Sequence, residues 1–230
     1  MSRSVFDGVT PPRRRTDLLE DGVTAGRLRG PGWQRTSHGF YVPAGVDRRG
    51  PLQRVAQASR RLPAGGAVGG WAAARTLGVR AFDGLATDGR TPIDVPLCIG
   101  AEHQIRSVPG IRVWADSLPS DDVVEVDGVP VTTPERTCLD GMRRASGPVE
   151  AVVFADLMFH AGLVTVERMR DYVGRHRGWR GHSSGPAGAA ARRPPVPQCL
   201  GDPNPDGVDS RRGPPEPHVQ PAGAPSIAGP

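Results

Sequence analysis

The stretch VDGVPVTTPERTCLD, residues 126–140, decides the fold class. Asp127-Gly128 sits between two valine-rich runs. An Asp-Gly pair in that setting marks a hairpin, because both central positions of its tight turn need positive φ. Thr132-Thr133-Pro134-Glu135 follows directly. A threonine cap, a proline in the first turn and Glu135 three residues after Thr132 combine a capping box with a proline start. The hairpin is therefore predicted to run straight into a helix, which is an α+β arrangement. Arg136 and Asp140 stand four apart on that helix and can pair with each other or reach back to the hairpin. A structural role is the expectation for them, and Thr132 and Thr133 are expected to cap.

On the carboxy-terminal side, Ala145-Ser146-Gly147-Pro148 breaks the helix, and VEAVVFADLMFHAG (149–162) predicts another. Val152, Val153, Ala155, Leu157, Met158 and Phe159 are its expected buried residues. Asp156 and His160 share a face at i,i+4, but no third metal ligand is in view, and a surface pair is expected. A last helix should begin at Thr165 and end near Gly178.

Upstream of the deciding stretch, 93–99 and 111–115 are apolar runs bounded by turn residues and predict strands. Asp116, Asp121 and Asp122 lie near turns, which favour aspartate without any chemistry. WAAARTLGV (71–79) predicts a short helix ending at Gly78, its small residues suited to close packing, and 63–69 predicts a loop. LQRVAQASRRL (52–62) places Leu52, Val55, Ala56, Ser59 and Leu62 on one helical face, with Arg54, Arg60 and Arg61 largely off it.

The front of the chain differs in character. Leu18 and Leu19 lie in a short helical stretch that stops at Asp21-Gly22, and Thr24 can cap a second helix, TAGRLR, carrying Arg27 and Arg29. Gly30-Pro31-Gly32 cuts that helix short. WQRTSHGFYVP then predicts a hairpin turning at Ser37-His38-Gly39. Helix, glycine turn, capped basic helix and hairpin is the order of a winged helix-turn-helix.

All 29 basic residues of the 230-residue chain are arginine, and they are unevenly spread. Residues 1–62 hold 12 arginines against 5 acidic residues, 63–181 hold 13 against 15, and the remainder holds 4 against 4. A field concentrated on one small module attracts a phosphate backbone, so double-stranded DNA is the leading partner. Arg27 and Arg29 on the helix, with Arg35 and His38 on the hairpin, are the expected contacts, since arginine bonds phosphate or a guanine edge in bidentate fashion. Arg13-Arg14-Arg15 resembles a basic arm able to follow a minor groove. Cys98, Cys138 and Cys199 are far apart and form no CxxC pair, which argues for a reducing compartment and against a metal site or disulfide framework. With no apolar run of membrane-spanning length and no signal-peptide pattern, a cytoplasmic location without membrane contact is expected. No nucleophile motif or phosphate-binding loop is present, so an enzyme is not expected and no cofactor is implied.

Four motifs, GFYVP (39–43), WAAARTLGV (71–79), VDGVPVTTPERTCLD (126–140) and EAVVFADLMFHAGLVT (150–165), occur in an order that resembles AbiEi-type antitoxins of type IV toxin-antitoxin systems. The resemblance spans residues 10–180 and rests most on the third motif. It implies a winged-helix DNA-binding domain followed by an α/β antitoxin domain, repression of the protein's own operon, and neutralisation of a nucleotidyltransferase-type toxin encoded nearby. The expected organisation is a basic winged-helix-like module at 1–48, an α/β antitoxin-like domain at 49–181 and a disordered Pro/Gly-rich tail at 182–230. That tail holds no Phe, Trp or Tyr and cannot bury enough apolar surface to offset the entropy of ordering it.

A second expectation concerns the same tail. The resemblance implies that many relatives of this body continue into a domain similar to very-short-patch-repair endonucleases. If the reading frame slipped near Gly181, GC-rich codons for residues 198–220, read one position over, can encode SASETRTRMVWILDAGLPSPMCN, which resembles the start of that domain. The chain is then a truncated remnant of a nuclease-like protein with no catalytic domain left.

Overall fold

The computed structural model describes residues 4–176. Cys199, the expected tail and its shifted frame, and the expected helix end near Gly178 lie outside them. The described residues are α+β, with seven helices and two sheets.

The first sheet has three antiparallel strands in the order β1-β3-β2. They are β1 (Arg13–Arg14), β2 (Trp33–Ser37) and β3 (Phe40–Pro43), and two short helices, α1 (Arg15–Glu20) and α2 (Ala25–Arg29), come between β1 and β2. Each expected stop and start is in place. Gly22 takes φ +83° after α1, the Thr24 hydroxyl accepts from the Arg27 amide, and Gly30 ends α2. Leu18, Leu28 and Val42, one from each of α1, α2 and β3, are buried. The triple arginine corrects the expectation of an arm. Arg13 and Arg14 pair with Tyr41 and Phe40 as an edge strand, and Arg15 opens α1.

The second sheet has five strands in the order β6-β5-β4-β8-β7. These are β4 (Ala67–Val68), β5 (Val95–Cys98), β6 (Ile111–Trp114), β7 (Val123–Val126) and β8 (Val129–Thr132). It is mixed: β5 runs parallel to β6, β4 parallel to β8, and the other two pairings are antiparallel. The Asp127-Gly128 turn joins β7 to β8 with φ of +50° and +78°, as its composition predicts. Helices α3 (Pro51–Ser59) and α4 (Gly70–Thr76) precede most of this sheet, and α5 (Pro134–Arg144), α6 (Pro148–His160) and α7 (Val166–Arg175) follow it.

Two apolar clusters meet at α4. Trp71, Ala72 and Ala73 join Val55 and Ala58 of α3 and the strand residues Val68, Val95, Leu97, Ile111 and Val131. Ala74 belongs instead with Cys138, Phe154, Ala155, Met158 and Met169 of α5, α6 and α7. A helix rich in small residues can be enclosed nearly all round, and α4 buries every residue but Arg75.

Four details depart from expectation. The expected 63–69 loop contains β4, which is central in the sheet and fully buried. Glycines flank it for a steric reason: a Cβ on Gly69 would lie 2.6 Å from Cys98 Sγ, and one on Gly70 2.8 Å from the Trp114 ring. Helix α3 ends at Ser59 and buries Gln53 in place of Leu52, because the Gln53 amide bonds both the N–H and the C=O of Thr10 (2.9 and 2.8 Å). The cap of α5 is Thr133, whose hydroxyl accepts from the Arg136 amide; Thr132 remains in β8, and its hydroxyl lies 2.6 Å from that of Thr137. Finally, α6 buries Ala151, Phe154, Ala155 and Met158, while Val152 and Val153 are exposed at 37% and 50%. Gly141 sets this face: a Cβ there would lie 2.3 Å from the Phe154 ring, so α5 and α6 approach through it.

The stretch before β1 does not keep to the division expected at residue 48. The Ser4 hydroxyl (2.8 Å) and the Val5 N–H (2.7 Å) donate to the Asp127 carboxylate at the β7–β8 turn, and Phe6 packs on the cluster around Trp71. With the Thr10–Gln53 clasp, residues 4–10 form a strap held by the second sheet and α3, leading into β1.

Candidate nucleic-acid interface

Every predicted DNA-contact residue lies on the three-stranded module. Arg27 and Arg29 are exposed on α2, either side of the buried Leu28. Their positions follow from the Thr24 cap, since the first turn of so short a helix fixes which side faces inward. Arg35, exposed on β2, is held toward the hairpin tip: its Nε donates to the Ser37 carbonyl (3.2 Å) and an Nη lies 3.0 Å from His38 Nδ1. A bulge between Arg35 and Ser37 tilts the strand end there.

Arg13 bonds Asp21, which spends its charge, whereas the Arg14 guanidinium lies 5.5 Å from the centre of the Phe40 ring. Among the described residues, Arg14, Arg15, Arg27, Arg29 and Arg35 make no ion pair. Arg48 and Arg49, which are not among the expected contacts, are exposed in the segment after β3. A cleft of about 460 Å³ opens between the strap and the start of α3, where Asp7, Asp47 and Arg75 line it, and it shares no residue with α2 or the hairpin.

The second group of ionisable residues is interior. Arg136 is fully buried, its Nε bonding Asp140 (2.6 Å) and one Nη bonding both Asp122 (3.0 Å) and the Ser117 carbonyl (3.1 Å). The Tyr172 hydroxyl donates to the other oxygen of Asp122 (2.9 Å), so the network ties α5 and α7 to the turn before β7. Burial works against the Arg136 cation, but the facing Asp140 carboxylate and its neighbours outweigh it and hold the guanidinium charged. Burial and the bond to Asp122 push the Tyr172 phenol up. Burial likewise raises Cys98, and it lifts the Cys138 thiol to about 12, so neither is a ready nucleophile.

The expected Arg136–Asp140 pair is therefore present and structural. Asp122, expected as a turn residue, is instead a buried hub. Its partners lie 14 and 50 residues away, so no local signal marks it. Asp156 and His160 are both exposed on α6. Among the described residues no three His, Cys, Asp or Glu side chains gather as a metal site, and no helix is long and apolar enough to cross a membrane. No model of a known protein family matches the chain, and no curated protein sequence matches it.

Proposed function

We propose that this chain is a DNA-binding transcriptional regulator of the AbiEi antitoxin type, with a winged-helix module that contacts double-stranded DNA. The observation that carries this reading is the order strand, helix, capped basic helix, hairpin, with Arg27, Arg29 and Arg35, which make no ion pair among the described residues, exposed on its last two parts. In that arrangement α2 lies toward the major groove and the hairpin tip toward the adjoining backbone. Arg27 and Arg29 reach base edges or phosphates, and Arg35 with His38 reaches phosphate. The operon-encoded nucleotidyltransferase-type toxin belongs to the same proposal and is supported by the motifs at 126–140 and 150–165.

A gel-shift titration of the full chain on DNA from upstream of its own gene tests the reading. Affinity is expected to fall steeply with salt, and Arg27→Ala/Arg29→Ala is expected to flatten the salt dependence by about two counterions, close to one for each phosphate no longer neutralised. Binding that is absent, or indifferent to salt and to both substitutions, overturns it.

A further inference from the structure

The strand register sorts the three-stranded sheet into two unlike faces. Tyr41 of β3 is opposite Arg13 of β1 on one side and Arg35 of β2 on the other. Directly paired residues project from the same face, so Arg13, Tyr41 and Arg35 form one cross-strand row. Two residues along each strand, on the same face, Trp33 is opposite Pro43. The reverse face carries Phe40 and Val42, and Val42, exposed at only 1%, marks it as the inner one. On the outer face Arg13, Arg35 and Pro43 are exposed, and neither aromatic is buried.

A solvent-side sheet face needs no aromatic residue for its own stability, yet this one has two, diagonal neighbours roughly 7 Å apart. Arginines flank Tyr41 on both sides. Asp21 is the carboxylate that reaches the row, through Arg13. Flat rings beside Arg35, a cation that no carboxylate among the described residues pairs, match a ligand that is itself flat rings on a polyanion. Duplex DNA hides its base faces in the stack and cannot use them, whereas unpaired nucleotides expose them.

We propose that the outer face of this sheet is a stacking platform for single-stranded nucleic acid, with Trp33 and Tyr41 each receiving a base and Arg35 holding the backbone. The surface is separate from α2. It does not require that α2 read a duplex.

Fluorescence anisotropy of the full chain with labelled oligo-dT and oligo-rU, each of roughly 12 nucleotides and so within the usual site size of a stacking surface, tests the platform. Trp33→Ala and Tyr41→Ala should each weaken binding about 5- to 150-fold, the loss of one stacked base. Tyr41→Phe, which keeps the ring, should bind like the parent chain, and this variant answers for any folding defect of the alanine forms. Arg35→Ala should lower the salt slope by about 0.7, the single-strand value for one neutralised phosphate. The two oligomers decide between sources: equal binding assigns stacking alone, and an RNA preference adds contact with the 2′-hydroxyl. No binding to either oligomer overturns the proposal. So does binding lost in Arg27→Ala/Arg29→Ala but kept in Tyr41→Ala, which assigns the strand to α2, and so does capture of a proline-rich peptide by the same aromatic pair in place of the oligomers. Failure of the duplex gel shift with the oligomer results intact would sink the regulator reading and leave the platform standing.

Discussion

Arginine does opposite work in the two halves of this molecule. In the body several side chains are committed: Arg136 lies inside a carboxylate cage, Arg54 bonds the carbonyls of Gly84 and Ile93 and lies 5.1 Å from the Trp71 ring, Arg144 bonds Asp116 above Trp114, and Arg168 bonds Glu135. Arg60, Arg80, Arg90, Arg106, Arg170 and Arg175 stay exposed there, scattered among acidic residues. In the module between β1 and β3, Arg14, Arg15, Arg27, Arg29 and Arg35 face water without an ion pair. Composition alone treats all of these as equal contributions to a basic isoelectric point. Placement divides them into cations consumed by folding and cations left for a partner. The module is also poor in core, with Leu18, Leu28 and Val42 as its buried aliphatic side chains, and so small a core rarely folds alone. The body's committed arginines thus hold the frame from which the module's free ones are presented.

The sharpest way to break this contrast is to remove one arginine of each kind. Arg136→Ala leaves Asp122 and Asp140 buried without their cation, and removal of one partner of such a pair costs about 3–5 kcal/mol. Urea denaturation should show that cost, while Arg27→Ala should stay within about 0.5 kcal/mol of the parent chain, as an exposed substitution does. The two variants should exchange ranks in the duplex gel shift when Arg136→Ala is assayed under conditions where it is still folded. Equal stabilities would erase the division. Tyr172→Phe refines it: the phenol gives Asp122 one of its bonds, and its removal should cost about 1–3 kcal/mol in the same denaturation series. A neutral result would mean that α7 is held by its apolar contacts and the Arg168–Glu135 pair without need of the Tyr172–Asp122 bond.

Local chemistry makes some of this fold legible from the chain alone. Asp127-Gly128, Thr24, Gly22 and the break at 145–148 each act within a few residues, and each is where the sequence places it. The misses are tertiary. β4 is two residues between glycines and acquires strand character only from Cys98, Leu97 and Val131 alongside it. Helix α6 is apolar nearly all round, so periodicity cannot say which side is buried, and the choice falls to Gly141 on another helix. Among the candidate residues, the exposed arginines could be read because charge at the front is a composition signal. The Asp122 hub could not, because its partners are distant in sequence. The outer row of the small sheet needed strand register, which the sequence does not supply once a triple arginine is read as an arm.

The smallest expected effect lies at the strap that joins the two regions. Asp127 is fully exposed, and the Ser4 hydroxyl, with help from the Val5 amide, holds its carboxyl below the usual carboxylate range. A lowered folded-state pKa means the contact contributes above the unfolded carboxylate pKa and disappears as pH falls through the lowered value. Amide exchange at Val5 should therefore be slow near neutral pH and should lose protection on acidification, beyond the intrinsic pH dependence of exchange. Asp127→Asn tolerates the positive φ of the turn and keeps one acceptor oxygen but cannot titrate. In that variant the protection should be weaker and should no longer respond to acid. If parent and variant respond alike, the strap is held by Phe6 and the Gln53 clasp, and the body grips the module through apolar packing and an amide rather than through charge.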